Sequence, residues 1–171
     1  MTLFFSTLGE AHLGYSAIFA CIGLGFLLLR RADREDAGPG YWAAAFFLNG
    51  LGFLLWSGAV PLPPAAYYLA GEIFHISGFF ALAFGTYRFT GGTFGRRQLC
   101  IFAAWIAAWT ASIASIALVR PAPFLPSLTL KLLRALIFFW TAAVILRYGK
   151  ERQAAGTRLA GWGLIAWGAY I

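Results

Sequence analysis

The chain has 171 residues, of which 61% are hydrophobic and only 11% charged, with a net charge of +7 and a mean hydropathy of +0.75. Soluble domains average about 45–50% apolar and about 25% charged residues, so the composition excludes an ordinary soluble domain. It also excludes disorder, which needs low hydrophobicity and high charge. The two cysteines, Cys21 and Cys100, lie in or beside apolar runs and form no disulfide scaffold.

An all-α integral membrane protein is the expected class, and one transmembrane helical domain spans residues 1–171. A crossing helix needs about 20 mostly apolar residues, at ~1.5 Å rise each, to cover ~30 Å of hydrocarbon. Residues 11–29, 41–60, 66–89, 99–119 and 124–148 meet that length. A sixth apolar stretch, 159–171, covers only ~20 Å of helix. Such a stretch leaves carbonyl groups unsatisfied in lipid and predicts that the chain continues. The expected fold is therefore a polytopic helix bundle of five full transmembrane helices and a partial sixth. The residues before position 10 carry no positive charge, so no cleaved signal peptide is expected.

Charge sets the expected orientation. Ten of the 13 Lys and Arg follow the first, third and fifth stretches: Arg30, Arg31, Arg34, Arg88, Arg96, Arg97, Arg147, Lys150, Arg152 and Arg158. The loops after the second and fourth hold only Arg120. Cytoplasmic loops carry the basic excess, which places the N-terminus outside. The same distribution explains the net charge by membrane topology and anionic headgroups, not by nucleic acid. A multi-pass membrane protein follows.

Ionisable groups at membrane depth are costly and mark function by default. Glu72 and His75 stand three apart in the third stretch, and Lys131 and Arg134 three apart in the fifth, so each pair shares a helix face. Together with Glu10 and His12 they are expected in one outer layer. Gly71, Gly78 and Gly85 recur every seven residues on the stripe that carries His75, and small residues allow close approach there. Three readings follow. In the first, Glu72 pairs with Lys131 or Arg134 and His75 hydrogen-bonds a neighbouring helix. In the second, Glu72, His75, Lys131 and Arg134 receive an anionic or quinone-like small molecule. In the third, His12 and His75 ligate haem or a metal, a set for which Glu72-x-x-His75 supplies only one of the two motifs that di-iron bundles use. Asn49 and Ser57 are expected to bridge helices. No Ser/His/Asp set, paired-carboxylate site, phosphate loop or CxxC appears, so catalysis is not expected within these residues.

Residues 71–89 read GEIFHISGFFALAFGTYRF, and 158–171 read RLAGWGLIAWGAYI. Both segments resemble the N-terminal sensory regions, of about seven membrane helices, in bacterial sensor histidine kinases and diguanylate cyclases. The resemblance implies a membrane-embedded input module that precedes cytoplasmic PAS, kinase or GGDEF domains, in a homo-oligomer or larger membrane complex. Any kinase or cyclase activity then lies beyond residue 171. A haem- or metal-binding accessory subunit and a small transporter are the alternatives. The uninterrupted apolar runs speak against a transporter, whose site is built on broken helices.

Overall fold

A computed structural model describes residues 2–32, 38–92, 95–118, 124–152 and 155–170. Six helices account for nearly all of them: α1 (Thr2–Ala32), α2 (Gly38–Trp56), α3 (Pro64–Phe89), α4 (Arg96–Leu118), α5 (Phe124–Arg152) and α6 (Ala155–Tyr170). No strand occurs among the described residues. Proline and glycine punctuate the helices. Pro39 lies in the first turn of α2 and Pro64 begins α3, where a missing N–H removes no helical bond. Past Trp56 the chain turns through Gly58, whose φ of +75° is readily adopted only by glycine. There the Ser57 N–H donates to Phe53 O at 2.9 Å and the Gly58 N–H to Leu55 O at 3.1 Å. Arg30 and Arg31 in the last turn of α1 complement the negative end of its dipole.

The chain forms two compact units, Met1–Phe89 and Thr90–Ile171. In the first, α2 packs against both α1 and α3. Aromatic rings line the α1–α2 seam, with Phe26 between Trp42 (5.3 Å between centroids) and Phe46 (5.4 Å), and Phe19 between Phe46 and Phe53. Tighter contact joins α2 to α3. Trp42, Asn49 and Trp56 recur every seven residues on α2, opposite Gly85, Gly78 and Gly71 of α3. Each glycine receives the side chain facing it, in one antiparallel register; at Gly85 a Cβ would stand 2.8 Å from Trp42 Cδ1. Trp42 also donates Nε1–H to Thr86 Oγ1 at 3.1 Å. The second unit repeats the device: α6 sets Gly161 against Leu146 and Gly168 against Phe138 and Phe139 of α5. Phe102 of α4 meets Trp140 of α5 edge-on at 5.9 Å.

Each unit has an apolar core, with Ala43 and Ala83 in the first and Leu130, Ile137 and Ala142 in the second almost wholly buried. Asn49, Glu72, His75, Thr86, Ser112 and Thr141 are buried, while Leu24, Leu28, Leu99, Ile106, Leu132 and Leu159 are at least half exposed. Exposed apolar surface of this kind marks contact with a membrane or with protein.

The expected five full crossings and a partial sixth do not hold. Among the described residues two helical segments, Gly9–Ala32 and Leu69–Phe89, are long and apolar enough to cross a membrane. The orientation with the N-terminus outside rested on the larger count and falls with it. The physical reason is that absence of charge is weaker than hydrophobicity. Helix α2 is diluted by Gly38, Pro39, Gly40, Tyr41, Trp42 and Asn49. In α4, Arg96, Arg97 and Gln98 occupy the first turn. α5 carries Lys131, Arg134, Arg147 and Lys150 along its length. α6 is 16 residues long, or ~24 Å.

Candidate functional site

The most enclosed ionisable groups of the first unit are Glu72, 2% exposed, and His75, 3% exposed, on one face of α3. His75 is fixed from α2. Asn49 donates its Nδ2–H to Ala45 O at 2.8 Å, one turn back on its own helix. That bond turns Asn49 Oδ1 toward His75 Nδ1, 2.9 Å away. A carbonyl oxygen only accepts, so His75 Nδ1 carries the proton and donates it. In neutral His75 the other nitrogen, the buried Nε2, then bears the lone pair.

Aromatic rings and a glycine complete the enclosure. Trp56 lies 4.4 Å from the imidazole centroid, Phe53 lies edge-on at 4.6 Å, and Phe79 stacks at 6.2 Å. Gly52 covers the Nε2 end of the ring: a Cβ there would stand 2.8 Å from Nε2 and from Cδ2. This side of the imidazole therefore admits not even a methyl group. The glycine stripe that promised open space around His75 is filled instead, since Trp56 rests on Gly71 and Asn49 on Gly78.

His12 approaches the same rings from α1, with its centroid 5.9 Å from Phe53 and 6.0 Å from Trp56. Its Nδ1 is buried and has no hydrogen-bond partner among the described residues. The two histidines thus share two aromatic neighbours. An Nδ1–H held by a second residue is what orients metal-ligating imidazoles, and His75 has that feature. Among the described residues, however, no group of three or more His, Cys, Asp or Glu comes together to hold a metal ion.

Lys131 and Arg134 belong to the second unit, where Lys131 is exposed and Arg134 half-buried on α5. Glu10, at the start of the first stretch, is exposed. Of the two residues expected to bridge helices, Asn49 does so. Ser57 instead donates to Leu54 O within its own turn at 2.6 Å. The sequence reading missed Phe53, Trp56 and Gly52 as the walls around His75. The signal for one of these, Trp56, was present: Trp42, Asn49 and Trp56 have the same seven-residue spacing as Gly71, Gly78 and Gly85.

Comparison of the chain with protein-family models, with curated proteins and with solved structures finds no match, and no catalytic family is indicated.

Proposed function

We propose that the chain is a membrane-embedded input module of a bacterial signalling protein, seated in the inner membrane. In this reading it performs no catalysis itself and drives a kinase or cyclase domain. Its sensing element is the buried polar layer of α2 and α3.

One observation carries the reading: two ionisable side chains, Glu72 and His75, are almost wholly enclosed on one face of an apolar helix. Burial of that kind is costly, and such groups are commonly retained where function uses them. A small molecule, a redox change or a proton that alters their charge acts directly on helix packing. Asn49, Gly52 and Trp56 of α2 all rest against the imidazole, so a reoriented ring shifts α2 against α3. Two packings of differing affinity for the signal are sufficient to transmit it. The apolar exterior and the segments Gly9–Ala32 and Leu69–Phe89 support the membrane placement.

The test joins the full chain to a histidine-kinase output domain in bacterial cells. Autophosphorylation should respond to pH or to the quinone redox state, and His75→Gln and Glu72→Gln should each lock it. Unchanged responses in both variants overturn the sensing element. Recovery of the chain in the aqueous fraction overturns the membrane placement.

A further inference from the structure

We infer that His12 is the proton receptor of the module: an imidazole near the end of its membrane segment that takes up a proton and acts on the His75 cage through Phe53 and Trp56. This assignment rests on the reading of the α2–α3 layer as the responding element. His12 lies three residues into the apolar segment Gly9–Ala32, ~4.5 Å along the helix axis. Glu10, Ala11, Leu13 and Tyr15 beside it are exposed, and His12 itself is half-buried. His75, the one other histidine of the chain, is 3% exposed. A proton from water therefore has the shorter path to His12.

Two observations separate His12 from a packing residue. Its Nδ1 is sealed from solvent and has no hydrogen-bond partner among the described residues. A phenyl ring would make the same contacts without stranding a buried polar atom, which is costly. The imidazole also lies against Phe53 at 5.9 Å, near parallel at 29°, and against Trp56 at 6.0 Å. At that range an aromatic face attracts a cation, and the attraction needs no acceptor atom. A neutral imidazole has one N–H and one lone pair, so the proton adds to the lone pair and leaves an imidazolium between two π faces.

The same two rings touch His75, Phe53 at 4.6 Å and Trp56 at 4.4 Å. Trp56 also fills the space over Gly71. An indole drawn toward His12 withdraws from Gly71 and from the His75 ring, so charge on α1 loosens the fit of α2 on α3. Few other titratable groups of the first unit surround the ring. On α1, Glu10 is exposed and Tyr15 packs on Phe53 at 5.3 Å. From α2 no charged residue faces His12, since the one titratable residue of that helix is Tyr41, which rests on Phe84. From α3 come His75, beyond the shared rings, and Glu72, three residues before it.

The test titrates the full chain in detergent from about pH 8 to about pH 5, the interval in which an imidazole ordinarily gains its charge. Histidine and tryptophan side chains are isotopically labelled and read by NMR. Two histidines give two imidazole signals, assigned by His12→Gln and His75→Gln. The His12 signal should move through one titration step. The Trp56 indole signal, assigned by Trp56→Phe, should move with the same midpoint. Both movements should persist in His75→Gln, and the Trp56 movement should be lost in His12→Gln. A His12 signal that stays fixed in the unaltered chain overturns the inference. A His12 titration that leaves Trp56 still also overturns it, as does loss of the titration in His75→Gln, which assigns the proton to His75. A His12 step that moves Trp56, in a chain whose kinase fusion is indifferent to pH, upholds the proton site and fails the signalling reading alone.

Discussion

Asn49 of α2 occupies the space that Gly78 leaves on α3. A Cβ at position 78 would overlap Asn49 Nδ2 and stand 2.8 Å from Ala45 O. Asn49 meanwhile accepts the His75 proton at 2.9 Å, so one close approach of two helices also fixes an imidazole. Gly78→Ala is therefore expected to cost ~1–3 kcal/mol through overpacking, because backbone cannot retreat as a side chain can. Gly25→Ala, where nothing lies within 4 Å, is the contrast. It should be neutral or stabilising by up to ~1 kcal/mol through lower chain entropy. Thermal unfolding in detergent measures both, and equal effects would mean that α3 does not meet α2 in this register.

The same distinction separates two other glycines. A Cβ at Gly85 meets the Tyr41 Cβ at 2.7 Å and Gly38 O at 3.1 Å, both held by the backbone of α2. A Cβ at Gly161 meets only the branched end of Leu146, at 2.5 and 2.6 Å. Leu146 can change rotamer at a cost of ~0.5–1.5 kcal/mol, whereas α2 must shift as a whole. Gly85→Ala should lower the melting temperature further than Gly161→Ala.

The helix positions were legible in the sequence. The stretches at 66–89 and 124–148 coincide within a few residues with α3 and α5, because Pro64, the charged clusters and the glycines punctuate the apolar runs. Membrane capacity was less legible. Tyr41, Trp42 and Asn49 interrupt no helix, yet they contribute little to transfer into lipid. Within the site, the cost of burying an ionisable group pointed to Glu72 and His75, and both are buried. Their walls were not legible, because pairing α2 with α3 requires knowing which heptad faces which. Lys131 and Arg134 show the limit of spacing arguments: three residues apart on one face, one is exposed and the other half-buried.

The Asn49–His75 bond should be separable from simple packing by a double-mutant cycle. Asn49→Leu leaves the imidazole N–H without its acceptor, and a stranded buried donor costs ~1–3 kcal/mol. His75→Phe removes that donor and keeps an aromatic ring in the cage of Phe53 and Trp56. The double variant should recover part of the loss, giving a coupling of at least ~0.5 kcal/mol. Additive melting-temperature losses would show that the bond contributes nothing beyond the two side chains' volumes.

A second cycle tests the other polar link between the same helices. Trp42 donates to Thr86, which is 0% exposed. Trp42→Phe should cost ~1 kcal/mol or more, from the lost bond and the smaller ring. Thr86→Val keeps the volume and removes the acceptor. In that background the indole N–H is already without its partner, so the further cost of Trp42→Phe should shrink. An unchanged cost would assign the whole effect of Trp42 to its contacts with Phe26 and Phe89, at 5.3 and 4.9 Å.

The placement of α1 is decided by a charge on its outer face. Ile22 is 39% exposed, midway along Gly9–Ala32, with Leu24 and Ile18 exposed beside it. In a water-soluble protein a cation at an exposed position is usually within ~0.5 kcal/mol of neutral. In a bilayer, arginine near the centre of a crossing helix opposes insertion by ~2.5–3.5 kcal/mol. Ile22→Arg should therefore reduce the membrane-inserted fraction of the chain in a translocon-dependent insertion assay, while Arg31→Ala should leave it nearly unchanged. Equal insertion of Ile22→Arg and the unaltered chain would mean that lipid does not cover this face. Ile18, Ile22 and Leu24 would then need a protein partner in place of the bilayer.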